Sequence, residues 1–287
     1  MNAISPLSRG NQVLNFVSGP FIFAPAPHCA VTLSVHCRNS SAIRVDTTAA
    51  LHPHAEPTDP GYLTKQEDFA VQGADPLIIR SLLDKQQFHD PLGLALHLGI
   101  SSATWPLFGL LWPSGSRLAE RMAQRPVNAT ERILEIGCGL ALTSLVGHRR
   151  GANITASDCH PEAAAFLLEN LRLNGMAPMN YRHGQWGEQP EIQNDDVALS
   201  GKFDLIVGSD ILYERDEQGT LADFIDLHAA PSAEVWVVDP NRGNRSHFNR
   251  NMAALGFDLH EELLAHAATQ GPSAHDAYKG RMLTYTR

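Results

Sequence analysis

From Pro126 onward the chain alternates short apolar runs with amphipathic stretches, the pattern of strands and helices taken in turn. Strands are predicted over residues 132–136, 153–157, 180–183, 203–208 and 233–238. Between them, apolar positions recur at helical spacing. One helix runs over about 141–150 and is closed by Gly151, where a left-handed residue suits a helix end. A second begins at Pro161 and Glu162, runs through Leu167, Leu168, Leu171 and Leu173, and stops at Gly175. A polar loop over 187–202 follows the third strand, and a third helix is predicted over 216–228. A helix over 246–255, a strand from Phe257 and a closing strand over 282–286 complete the series. The run 203–208 is apolar almost throughout, which predicts burial on both faces as in a parallel sheet. Repeated strand-helix units of this kind fold as a doubly wound, mostly parallel α/β sheet with helices on both faces.

Upstream the pattern changes. Residues 62–125 read as helical, with Leu77, Ile78, Ile79, Leu82 and Leu83 in one segment and Leu94, Leu96 and Leu98 in the next. The stretch 101–115 is dense in aromatics and turn formers, and Pro113 suits the first turn of a helix that Leu118, Ala119 and Met122 continue as far as Pro126. Trp105, Phe108 and Trp112 are core residues on the plainer reading; Trp112 is alternatively a flat wall over a ligand. In residues 1–60, prolines at 6, 20, 25, 27, 53, 57 and 60 interrupt every stretch long enough to fold, which predicts a mobile or poorly ordered arm. Before Asp46 that arm has no acidic residue and carries Arg9, Arg38 and Arg44, a transit-peptide composition. Its prolines leave no room for an amphipathic basic helix, so an unstructured extension is the expectation. The chain thus divides into an arm (1–60), a helical extension covering the ligand pocket (61–125) and a binding domain (126–287).

Composition removes several function classes. Over 287 residues the formal net charge is -9 and the isoelectric point is near 5.8, against a sequence-independent grip on nucleic acid, which needs clustered Lys and Arg. No apolar run approaches the roughly 20 residues of a membrane span. Cys29, Cys37, Cys138 and Cys159 form no Cys-x-x-Cys pair and no zinc spacing, so no metal is expected and a reducing, cytoplasmic setting is.

The chemistry gathers at the predicted strand ends. Arg132 to Leu142 reads as a buried strand, a glycine turn at Gly137 and Gly139, and a helix start, the arrangement that lets backbone approach a ligand closely. Glu135, two residues before the first glycine, sits badly beside a pyrophosphate and well beside an ammonium or hydroxyl. Asp158 lies 21 residues after Gly137, the spacing at which an acid ending the second strand takes a ribose diol. Leu142 at the third position of Gly-x-Gly-x-x-Gly, together with Glu135, disfavours NAD. Gln185 and Trp186 follow the third strand, Ser209 and Asp210 the fourth, and Asp239 the fifth. In doubly wound sheets ligands bind at such ends, where strand order reverses.

These residues resemble the class I, seven-β-strand, Rossmann-like S-adenosylmethionine-dependent methyltransferases. Glu135-Ile136-Gly137-Cys138-Gly139 is similar to their first motif, with Ala141 where a third glycine is frequent. Trp112-Pro113, Gly184-Gln185-Trp186, Asp210-Ile211-Leu212-Tyr213 and Asp239-Pro240-Asn241-Arg242 together resemble the protein lysine methyltransferase group, over residues 105–287. The resemblance implies S-adenosyl-L-methionine as cofactor. Gly137, Cys138 and Gly139 would cradle its methionine moiety, Glu135 would hold its ammonium and Asp158 its ribose, with Cys159 alongside. Trp186 and Gln185 would flank the adenine, Trp112 would close the pocket and Ser209 border it. Asp210 and Tyr213 would position the methyl acceptor, a lysine of a protein or else a small amine. A lysine, with a pKa of about 10.4 when unperturbed, must lose its proton first; Asp210 would attract it and burial beneath Tyr213 and Trp112 would favour the neutral amine. Capping of the next helix remains open for Asp210, and a partly buried aromatic role for Tyr213. Asn241 and Arg242 either line an acceptor entrance or cap the helix near Ser246. A non-catalytic module that keeps the cofactor pocket is the remaining alternative; no nucleic acid or membrane partner is expected, and the pattern sets no oligomeric state.

Overall fold

The computed structural model describes residues 61–187, 198–266 and 277–287. The expected arm over 1–60 and positions 188–197 of the expected polar loop lie outside the described residues. In chain order the described elements are β1 (Thr64–Phe69), β2 (Leu77–Leu82), α1 (Leu94–His97), a 3₁₀ turn (Trp105–Gly109), α2 (Pro113–Gln124), β3 (Arg132–Ile136), α3 (Leu142–Arg149), β4 (Asn153–Asp158), α4 (Ala163–Leu173), β5 (Asn180–His183), β6 (Phe203–Ser209), α5 (Thr220–His228), β7 (Ala229–Asp239), α6 (Arg245–Ala254), β8 (Asp258–His266) and β9 (Tyr278–Thr286). Among the described residues no helix is long and apolar enough to cross a membrane, and no group of three or more His, Cys, Asp or Glu is placed to hold a metal ion.

Seven strands form one sheet in the order β5-β4-β3-β6-β7-β9-β8. The first five pair in parallel, while β9 runs antiparallel between β7 and β8. The alternation of side chains along each strand decides what lies on each face. Ile133, Leu205, Val207, Trp236 and Val238 share one core with Leu118 and Met122 of α2, Leu145 of α3 and Phe166 of α4. Their neighbours Leu134, Ile136, Ile206, Val235 and Val237 join Leu221 and Ile225 of α5 and Phe248 and Met252 of α6 in a second core. The sheet is therefore covered on both sides, which is why the central runs are apolar at most positions. By the same parity Glu135 shares the face of Ile133 and points toward α3.

The segment expected to be helical around Leu77 is instead a strand. Leu77, Ile79 and Ser81 are buried and Ile78 is 40% exposed, an alternation of period two that ends at the buried Leu82, and β2 pairs antiparallel with β1. Its other edge is completed by side chains. Asn170 of α4 accepts from the Arg80 N–H (2.8 Å) and donates to the Arg80 carbonyl (3.3 Å). Asn174, one turn on, does the same for Ile78 at 2.9 and 2.7 Å. Two asparagines at i, i+4 thus serve as the missing neighbouring strand and satisfy the outer backbone groups of β2. The expected helix over Leu94–Leu98 contracts to the single turn α1, with Leu94 and Leu96 exposed.

Sequence order leaves β3 toward β4 on one side and returns to β6 on the other, so the carboxyl ends of β3 and β6 flank the reversal point.

Candidate active site

At that reversal point lies a cavity of ≈ 600 Å³, within the roughly 300–1,000 Å³ of small-ligand sites. Trp112, Glu135, Gly137, Cys138, Gly139, Asp158, Cys159, Gln185, Trp186, Ser209, Asp210, Tyr213 and Arg242 all line it; of the predicted site residues Asn241 alone is missing from the wall.

The turn after β3 is held by its own backbone. Gly137 and Gly139 have φ of 55° and 51°, and Ala141 adopts φ of 58° where related motifs carry glycine. The Cys138 N–H donates to the Ser157 carbonyl at 3.0 Å and the Ala141 N–H to the Cys138 carbonyl at 2.6 Å. Neighbours also require the glycines. A Cβ on Gly139 would lie 2.7 Å from the Phe108 carbonyl oxygen, and one on Gly137 3.0 Å from Ile211 and 3.2 Å from the Trp186 ring.

Two buried carboxylates flank the turn. Glu135 is 3% exposed; its Oε2 accepts the N–H of Ser144, in the first turn of α3, at 2.7 Å. Burial nevertheless pushes its pKa up to about 7. Asp158, at the end of β4, accepts from the Gly139 N–H and the His160 N–H, each at 2.8 Å, and burial holds its pKa above the ordinary value against those bonds. It therefore braces the glycine turn as well as facing the cavity. With the Cys159 N–H as a third donor, roughly one of a carboxylate's four acceptor positions remains for a ligand. Burial, then the charge of Asp158, raises both thiols, Cys138 well above its usual value and Cys159 to about 12, which leaves neither as a nucleophile.

The other end is built from side chains. Trp112 caps α2, and its indole N–H donates to the Leu107 carbonyl at 2.9 Å. Asp210 has a left-handed φ of 59°; its N–H donates to the Val238 carbonyl at 2.9 Å, tying the end of β6 to β7. Its carboxylate accepts from Arg242 Nε at 2.5 Å. Next to it, Asp239 is fully buried with its pKa raised by burial, opposed by the backbone N–H groups of Arg242 and Asn241 and by the Arg245 charge. Tyr213 is 43% exposed, and burial of its hydroxyl with Glu214 nearby keeps it protonated. Asn241, also left-handed at φ 62°, accepts from Arg245 at 2.8 Å, so it shapes the turn into α6. Asn244 donates to the Leu212 carbonyl at 2.9 Å and fastens that turn to the loop after β6. A second cavity of ≈ 520 Å³ adjoins the first; Trp186, Ile211, Tyr213 and Glu214 line both.

Sequence reasoning missed part of the wall. Leu98, Gly99, Ile100, Thr104 and Phe108 close the cavity from the amino-terminal side, with Lys85 at its rim, and Gln185 donates to the Leu98 carbonyl at 3.3 Å. His160 stacks on Phe108 with centroids 3.8 Å apart, and burial lowers its pKa to about 3, so the ring is neutral. The signal for Phe108 was the aromatic cluster itself; what it touches depends on long-range packing.

A family model described as lysine methyltransferase matches residues 107–253, about half of the chain. The electron transfer flavoprotein beta subunit lysine methyltransferase of Rattus norvegicus is 30% identical over 145 residues, 48% of this chain and 51% of the relative. The histone-arginine methyltransferase METTL23 of Xenopus laevis is 28% identical over 133 residues, 45% of this chain and 55% of the relative. The chain thus spans about half the length of these relatives. Among solved structures, precorrin-6y C5,15-methyltransferase from Geobacter metallireducens GS-15 aligns with a TM-score of 0.46 at 11% identity, covering 60% of this chain and 88% of that one. On the family match, and with the glycine turn, the two flanking carboxylates and the Asp-x-x-Tyr element inside the matched span, the chain belongs to the lysine methyltransferase family.

Proposed function

We propose that this protein is an S-adenosylmethionine-dependent N-methyltransferase whose acceptor is a lysine side chain of another protein. The observation that carries the reading is a single cavity that joins a backbone cradle and two buried carboxylates to Asp210 and Tyr213. The cradle fits the cofactor on physical grounds. The left-handed glycine turn lines the cavity with backbone rather than side chains, and carboxylates beside such a turn repel a phosphate while suiting an ammonium and a diol. When bound, the cofactor supplies an electrophilic sulfonium methyl group. Gly137, Cys138 and Gly139 hold its amino-acid end by backbone, Glu135 faces the ammonium and Asp158 the ribose. Gln185 and Trp186 border the adenine, Trp112 and Ser209 close the pocket, and Cys159 contributes bulk.

The remaining work is placement of a neutral nitrogen. Asp210 attracts the acceptor ammonium and fixes its direction. Tyr213 and Trp112 exclude water around it, which disfavours the charged form and sends its proton to solvent at the mouth. The Tyr213 hydroxyl, held protonated, orients the amine rather than removing its proton. Lysine as acceptor is supported by the family description and by the rat relative's name. The same reading includes a cytoplasmic location, supported by two free thiols in the pocket wall, and a functional division at about residues 60 and 125.

Labelled cofactor added to a cell lysate with the purified protein tests it. Label on protein lysine, located by mass spectrometry, is expected. Label confined to small metabolites would replace the protein acceptor with a small amine, label on arginine would replace the lysine, and absence of calorimetric cofactor binding would sink the whole reading.

A further inference from the structure

The seat assigned to the acceptor already holds a cation. Arg242 Nε donates to Asp210 Oδ1 at 2.5 Å, and the guanidinium carbon lies 5.9 Å from the centre of the Trp112 ring. A carboxylate beside an aromatic face is a general receptor for cations. The Asp210 side chain is 9% exposed and that of Arg242 38%, so the carboxylate is enclosed while the arginine that neutralises it reaches solvent. Asp239 adds a second buried carboxylate close behind, which makes a bare Asp210 costly. Among the described residues, the Arg242 guanidinium hydrogen-bonds only to Asp210, whereas the turn that carries it is fastened independently through Asn241, Asn244 and Arg245. The arginine can therefore leave without unmaking the turn.

We propose that Arg242 is an internal stand-in for the acceptor: its guanidinium occupies the Asp210 and Trp112 seat in the acceptor-free protein and swings to solvent when a lysine ammonium takes its place. The inference rests on the acceptor reading above and deepens it. Because cations are exchanged, Asp210 never stands uncompensated. An incoming amine gains only what exceeds the pair it breaks, so small free amines are disfavoured. A lysine whose own protein adds contacts around the mouth is favoured.

The test uses the full chain and n-butylammonium chloride as probe, with 1-butanol and sodium chloride as controls, read by calorimetry and thermal melting. Arg242→Gln should melt below wild type, and butylammonium should restore it and bind at least roughly tenfold tighter than to wild type. Arg242→Lys, which keeps a cation in the seat, should behave as wild type, and the D210N/R242Q double variant should not respond. Equal or weaker binding to R242Q than to wild type overturns the stand-in and leaves the acceptor reading intact. Butylammonium that binds neither protein overturns both. A second measurement needs no folded variant at position 242: in wild type, nitrogen-15 NMR of the Arg242 Nε–H should show solvent exchange once butylammonium saturates. A protected signal at saturation overturns the proposal.

Discussion

At the ends of β3 and β4 the charged groups of the cavity are held by backbone: Glu135 by the Ser144 N–H, Asp158 by the N–H groups of Gly139 and His160. At the ends of β6 and β7 the corresponding carboxylate, Asp210, is held by a side chain, Arg242, and the wall includes a tyrosine that is 43% exposed. Backbone bonds within a turn cannot be lost while the turn keeps its shape, whereas a side-chain pair can break by rotamer change alone. The first end is therefore preorganised for one ligand. The second end is held only by a side-chain pair, as the proposed exchange of Arg242 for an acceptor requires.

The largest expected effect breaks the second end. Asp210→Asn leaves Arg242 without its partner and the acceptor without its attractor, and truncation of such a charge pair costs about 2–5 kcal/mol. Steady-state kinetics should show that loss in kcat/KM, with calorimetric cofactor affinity little changed. Equal losses in both would mean that the two ends are not separable. Gly139→Ala strikes the first end. Left-handed strain alone costs about 1–3 kcal/mol, and the approach to the Phe108 carbonyl adds to it. Melting temperature and cofactor affinity should fall together; a variant that melts normally and still binds tightly would show that the cradle adjusts.

A smaller effect concerns pH. The folded protein keeps Glu135 protonated up to about pH 7, the unfolded chain only to the ordinary 4.5, so folding takes up a proton between those values. Its contribution to stability is full below the lower value and is lost as pH rises through the upper one. The melting temperature of wild type should fall relative to that of Glu135→Gln over that window and the difference should stay flat outside it. Cofactor binding there should release a proton in wild type and none in the variant, read from calorimetry in buffers of different ionisation heat. Proton release unchanged by the substitution would remove the ammonium from Glu135. The smallest effect is Ala141→Gly. Relief of the left-handed residue outweighs glycine's extra chain entropy by at most about 1 kcal/mol, so the melting temperature should rise slightly. A fall would mean that the alanine methyl packs usefully.

The strand and helix pattern after Pro126 was legible because each element buries a face whose period is local: two for the strands beside Ile133 and Leu134, near four for Leu167 and Leu171. The glycine turn and the acids at the strand ends were legible for the same reason, since parallel strands bring their carboxyl ends to one edge. The segment Leu77 to Leu83 was not. Its apolar residues fit a helix nearly as well as a strand, and the deciding partners, Asn170 and Asn174, lie about ninety residues further along. Asn241 was left between an acceptor entrance and a helix cap on the same grounds, because its left-handed turn bonded to Arg245 depends on where α6 packs.

Sequence alone therefore determined the sheet, its two-sided burial and the chemistry along its edge, all of which follow from short-range periodicity and residue type. Only the tertiary structure decided how that chemistry is compensated: which carboxylates lean on backbone, that Asp158, expected to take a ribose diol, also braces the glycine turn, and that Arg242 sits in Asp210's grasp. Compensation depends on distances between residues remote in sequence, and burial sets how much each such distance matters.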